Sequence, residues 1–339
     1  MRKATVGFMA VGLQPYWGQF EGMRENCEFH HQELKGKFNS DKVEIEDVGI
    51  IDSEELAREA GKTFEEKKVE VIFCQMLTYA ASVYIAPVVR NLSVPVVILN
   101  VQYKKALDYA NVKGIGDWLG EGITCAGVPE ATAVLSCLGK QFAVVTGHME
   151  KGSDIVEKLE DWCDAALIKS TLANGNLGLF GHPYQGMMDL CVNESRIFEK
   201  FGTYVYHLDW EEIIREGEKA SSEDVQKRID EMGRTFDLDS QVQEADIAYI
   251  ARTAEGLERI AEKYRLHSFA THYEFDAPES QVDLVAALNP AMTLMMTEGM
   301  ANFASSFGMG AVPMILFSTG GIAGVGFLSD ICVPLFRKA

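Results

Sequence analysis

The sequence predicts an α/β protein made of two doubly wound parallel-sheet domains. Three observations carry that expectation. Short apolar runs at 4–10, 43–48, 69–74, 94–101 and 141–146 alternate with helical patterns, and such alternation calls for a parallel sheet with helices on both faces. The run VPVVILNV (94–101) is apolar throughout, as a strand covered on both faces should be. After the turn-forming stretch 173–176 the rhythm restarts, with strands expected at 177–181, 203–208 and 266–272,.

Each element has its own justification. Residues 21–35 place Met23, Cys27, His30 or His31 and Leu34 at helical spacing,. VEIEDV (43–48) alternates, as a strand near a sheet edge does,. Ser53 precedes a helix whose first turn holds Glu54 and Glu55, where carboxylates favour the helix dipole,. Further helices are expected at 80–91, at 128–138 with Pro129 in its first turn, and at 152–169,. In the second half, helices are expected at 187–201, 222–234 and 240–264. The stretch 266–306 reads as a strand ending at His272, a break at Asp276, Ala277 and Pro278, and an apolar helix around Pro290. That order sets side chains at the mouth of a cleft. The domains are expected to be flavodoxin/Rossmann-like, at 1–173 and 174–301, with an atypical apolar tail at 302–339.

Composition narrows the function. The net charge of −19 over 339 residues argues against nucleic acid, whose phosphates need clustered lysine and arginine,. The seven cysteines lie far apart with no CxxC pair, which fits a reducing, cytoplasmic setting. Residues 299–329 carry no charge, but their glycines and Pro313 make a poor spanning helix, so a membrane role is not expected.

Several motifs have ordinary readings. GIGDWLG (114–120) lacks the nucleotide-binding spacing and reads as a loop,. STGGIAGVG (318–326) lacks the Lys-Ser/Thr of a phosphate loop,. His30 and His31 read as a solvated pair on a helix surface,. His148, His182, His267 and His272 stand at or near strand ends, without metal-ligand spacing.

VGLQPYWG (11–18), VVILNVQYKKAL (96–107), QFAVVTGHMEKGSDIVEKLEDW (141–162) and LHSFATHYEF (266–275) together resemble the L-arabinose isomerase branch of the L-arabinose/L-fucose isomerase family. GNLGLFGHPYQGMMDL (175–190) is similar to the opening of that family's middle domain. The resemblance implies aldose–ketose isomerisation of a small-molecule sugar in a homo-oligomer. A divalent metal, usually manganese, and a glutamate pair move a proton through an ene-diol. By the same resemblance Gln14 contacts sugar and Phe269 lines the pocket.

The departures from the family pattern are equally specific. Pro15 stands where the family has histidine, and Ala126 where a histidine reaches a neighbouring subunit. The family's metal-binding, proton-transferring glutamate falls near Ser305, and Glu298 is two turns away from it. Serine is neither a comparable metal ligand nor a carboxylate base. The family's C-terminal β-barrel, with the second glutamate and the metal-binding histidines, is not found in the sequence as written. The chain is therefore expected to be truncated, as a disrupted frame would explain, to hold no metal of its own, and not to catalyse. The alternative reading is a non-catalytic sugar-binding or regulatory module.

Overall fold

The computed structural model describes residues 3–122, 124–181, 193–239, 241–266, 268–271 and 279–297. Their contacts divide them into two compact units, one of Lys3–Leu167 and one beginning at Ile168.

The first unit alternates strand and helix: β1 (Ala4–Val11), α1 (Gln14–Gln19), α2 (Met23–Lys35), β2 (Val43–Ile51), α3 (Glu54–Glu66) and β3 (Val71–Met76). A 3-10 turn at Ser82–Tyr84 leads to α4 (Ala86–Val89), β4 (Val96–Gln102) and α5 (Ile115–Gly122). A second 3-10 turn at Thr124–Gly127 precedes α6 (Val128–Cys137), β5 (Phe142–His148) and α7 (Ile155–Ala173). The five strands pair in the order β2-β1-β3-β4-β5, every pair parallel. α7 straddles the divide between units, which falls ahead of the 173–176 turn.

Strand alternation sorts this unit's core into two layers. Met9, Ile72, Cys74 and Ile98 pack on one face with Ala57 and Phe64 of α3 and Leu135 of α6. Phe8, Phe73, Val97 and Val145 pack on the other with Leu34 of α2 and with Leu159 and Cys163 of α7. Phe64 is fully buried, worth roughly 1.5–3 kcal/mol of apolar transfer. It needs Gly7 beneath it, because a Cβ there would lie 3.0 Å from the Phe64 ring. Ser53 caps α3, its hydroxyl accepting from the Leu56 N–H at 3.2 Å,.

The second unit contains β6 (Asn176–Phe180), α8 (Glu194–Phe201), β7 (Tyr204–Leu208), α9 (Trp210–Gly217), α10 (Ser222–Thr235), α11 (Glu244–Tyr264), β8 (Ser268–Thr271) and α12 (Glu279–Thr297). Its three strands are parallel in the order β7-β6-β8. Its core is mostly helical: Ile213 of α9, Met232 of α10, Leu257 and Ile260 of α11, and Leu284 and Leu288 of α12 gather around Phe180 and Leu208.

Two of the expected elements need correction, and one helix was missed. GIGDWLG is helix α5, not a loop. Leu119 is buried against Met23 and Cys27, and the Asp117 carboxylate accepts the Lys113 N–H at 3.0 Å, so packing and a local cap override the glycines,. The helix expected over 80–91 shrinks to the 3-10 turn and α4, with Pro87 in the first turn of α4. Helix α9 was not anticipated; Asp209 precedes it, and Ile213 on its inner face is fully buried. The start of the helix expected from 187, the break at 276–278 and the tail 302–339 lie outside the described residues.

Candidate functional site

In the first unit the chain leaves β1 for β2 on one side, and β3 lies on the other. This is a topological switch point, where the loops after the two strands separate and leave a crevice at the strands' C-terminal ends. The loop after β1 supplies Gly12 and Leu13, followed by Gln14, Tyr16 and Trp17 on α1. The loop after β3 supplies Thr78 and Tyr79.

Hydrogen bonds fix the crevice walls. The Leu13 N–H donates to Thr78 Oγ1 at 3.0 Å, and that hydroxyl donates to the Tyr79 carbonyl at 2.7 Å. Trp17 Nε1 donates to Asp52 Oδ2 at 2.8 Å, and the Arg24 guanidinium reaches the same oxygen at 2.9 Å. Arg24 also lies 5.8 Å from the Trp17 ring centre, within cation–π range,. Its hydrogen bond to Glu28 and the charge of Asp52 push the guanidinium pKa up. Gly12 makes room for the indole, since a Cβ there would meet the Trp17 ring at 2.7 Å. An added Cβ on Gly127 would fall 2.6 Å from the Met76 methyl, the end of a flexible side chain, and 3.2 Å from the Ala80 backbone nitrogen. Beside this wall lies a depression of about 430 Å³, lined by Phe20, Met23, Asn26, Gly116 and Asp117 among others.

Gln14 is exposed in the first turn of α1, beside Pro15. Ala126 sits in the 3-10 turn before α6. Phe269 stands in β8, in register with Gly178 of β6, and so belongs to the second unit. His182, His267, His272, Glu298 and Ser305 lie outside the described residues. Trp17, Asp52, Arg24 and Thr78 were missed as site residues. PYWG was visible as a motif, but nothing local marks Asp52 or Thr78 as its partners.

The histidine pair is a correction. His30 and His31 are 8% and 1% exposed, not solvated. His31 stacks on Phe8 at 4.3 Å, with Nδ1 3.0 Å from Gln75 Oε1 and Nε2 2.8 Å from Asp47 Oδ1. Burial opposes the charge on Asp47, yet hydrogen bonds from His31, Lys35 and the Gly49 N–H hold its carboxyl well below the usual carboxylate range. Burial pushes the His30 imidazole down to about 4, against the pull of Glu33. The His31 side chain ties α2 to β3 and β2, whereas the His30 ring lies against Tyr103, just past the end of β4.

Among the described residues no group of three or more His, Cys, Asp or Glu is placed to hold a metal ion. Asp52 is committed to Trp17 and Arg24. The described crevice residues therefore do not fit the manganese ion that the resemblance implies. What they do offer is an aromatic wall, an exposed amide and fixed polar groups, a set suited to a neutral, hydroxyl-rich molecule. Comparison with protein-family models and with curated proteins returns no match.

Proposed function

We propose that the chain is a sugar-binding protein of the aldose–ketose isomerase type, with two doubly wound α/β domains, and that it binds a pentose or deoxyhexose at the crevice after β1 and β3. One observation carries the reading. The segment VGLQPYWG, which resembles the isomerase family, runs from the last residue of β1 into α1, so Gln14 and Trp17 follow the β1 end of the switch point, and Leu13 is bonded to Thr78 of the loop after β3. The segments 96–107 and 141–162, which carry the same resemblance, begin with β4 and β5 of the same sheet.

In this reading the amide of Gln14 hydrogen-bonds sugar hydroxyls. The face of Trp17 covers an apolar patch of the ring, and Thr78 keeps the β1 loop in place. Isomerisation needs a carboxylate to take a proton from one sugar carbon and return it to its neighbour. Ser305 stands where the resemblance puts that carboxylate, so the chain is proposed to bind without turnover. A bound divalent ion would supply charge stabilisation for the enediolate; among the described residues no group of three or more His, Cys, Asp or Glu is placed to hold one. A cytoplasmic location belongs to the same proposal. Four cysteines among the described residues are free, and burial pushes the thiols of Cys27, Cys74 and Cys163 up to about 12. No described helix is long and apolar enough to cross a membrane.

Titration calorimetry with L-arabinose and L-fucose, with and without manganese, tests the reading. Binding is expected without metal, and Trp17→Ala is expected to weaken it at least tenfold. No binding under either condition rejects the sugar proposal. Metal-dependent turnover by the purified chain rejects the claim that it does not catalyse.

A further inference from the structure

Among the described residues β5 is an edge strand of the five-stranded sheet. The Gln141 carbonyl accepts from the Val96 N–H, and the Met149 N–H donates to the Gln102 carbonyl. Odd-numbered residues therefore turn their backbone groups toward β4, and Phe142, Val144, Thr146 and His148 turn theirs outward. The outward groups are not treated alike. Lys158 Nζ donates to the Thr146 carbonyl at 3.0 Å, and the His148 N–H donates to Ser153 Oγ at 3.4 Å. A lysine on an edge is a common block to strand addition. The first half of the edge has no such guard among the described residues, and it is apolar: Phe142 is 36% exposed, Val144 42%, and neighbouring Leu138 42%.

The open stretch complements itself. Lay a second β5 antiparallel to the first, with a two-fold axis through Ala143. Phe142 then exchanges both backbone bonds with Val144 of the second copy, and Val144 does so with its Phe142. Every unguarded outward donor and acceptor in that half is used, and the guarded ones are left alone. The same register sets Phe142 beside Val144 of the other copy twice, on the face that α7 does not cover, as aromatic–β-branched cross-strand pairs. On the α7 face Gln141 of the second copy falls opposite Val145. There a trough of about 370 Å³ lies along the strand, lined by Val144, Val145, Thr146, Lys158, Asp161 and Trp162. A glutamine amide can bond both charged groups of that trough. We infer that the first half of β5 is a homodimer seam, joining two five-stranded sheets across residues 142–144. A longer foreign strand would need the Thr146 and His148 groups that side chains already hold, so a second copy is the favoured occupant.

Sedimentation of the full chain, with disulfide mapping, tests the seam. In this register Ala143 faces itself as a non-hydrogen-bonded pair, with the close approach a disulfide needs. Ala143→Cys in a Cys137→Ser background is expected to cross-link two copies under mild oxidation, with the bond mapping to position 143 of each. Val144→Lys is expected to weaken the dimer at least tenfold with an unchanged far-UV spectrum. Val144→Pro, which removes an outward N–H and no β4 bond, is a second route to the same loss. A wild-type monomer at every concentration tested overturns the seam. So does a dimer that both substitutions leave intact and that forms no disulfide between introduced thiols at position 143.

Discussion

The two compact units are held together differently. In the first, five strands are covered on both faces, and each face has its own apolar layer. In the second, the apolar cluster of the described residues is drawn mainly from α9, α10, α11 and α12, with Phe180 and Leu208 from the strands. The sheet-centred unit leaves its loops free to build a crevice. The helix-centred unit relies on backbone approach between helices and on buried charge.

The largest test of that contrast is Arg228 of α10. It is 2% exposed, with Nε 2.8 Å from Glu255, Nη1 3.0 Å from Glu231, and Nη2 bonded to Glu258. Burial disfavours its charge, but the three carboxylates raise its pKa above the ordinary value. Arg228→Ala would strand those carboxylates and is expected to destabilise the second unit by about 3–5 kcal/mol. Chemical denaturation followed by hydrogen exchange should show the second unit's amides losing protection while those of the first keep it. Simultaneous loss in both units would mean that they do not unfold separately.

The next test compares two glycines. A Cβ on Gly256 of α11 would lie 2.3 Å from the Ile213 carbonyl of α9. A Cβ on Gly61 of α3 would lie 3.0 Å from the Pro87 and Val88 carbonyls. Both neighbours are backbone, so the distance decides: at 2.3 Å the helices must part, and Gly256→Ala is expected to cost at least about 3 kcal/mol, the upper end of ordinary overpacking,. Gly61→Ala should cost about 1 kcal/mol, set against the gain in helix propensity. Equal midpoint shifts in urea would erase the distinction.

A third test separates the units by pH. The His30 imidazole lies at about 4 in the folded state, against an ordinary 6.5, because burial disfavours its charge. The unfolded chain therefore binds the proton first. The first unit should lose stability as pH falls from about 6.5 to about 4 and lose no more from this group below that. His30→Leu should flatten that window. The depressed Asp47 carboxyl acts lower: its contribution is present above the usual carboxylate pKa and is lost at more acidic pH,. The smallest effect is a cap. Ser53→Ala removes the acceptor of the Leu56 N–H and should cost about 1 kcal/mol, seen as a small midpoint shift confined to the first unit,.

The strand–helix alternation of the first unit was legible because its signal is local. Periodicity located β1 to β5 to within a few residues, and Ser53 announced its own helix. Helix α9 was not legible: it spans only Trp210–Gly217, and its stability comes from the contact with α11, which lies far along the sequence. The histidine pair misled for a similar reason. Polarity suggested solvent, but Gln75 and Asp47, from β3 and β2, provide the partners that let His31 be buried. The crevice was half legible. Gln14 and the PYWG turn could be singled out, whereas Asp52 and Thr78 become wall residues only once the strand order β2-β1-β3 brings three loop ends together.

The Lys158 amine on the Thr146 carbonyl has one more consequence. Fibril growth needs an uninterrupted template, typically six or seven residues of high β-propensity with little charge. The run FAVVTGH meets much of that description, but its exposed margin is stopped at Thr146. A template two or three residues long can close a pair around a two-fold axis, and a closed pair offers no further end for chains to add to.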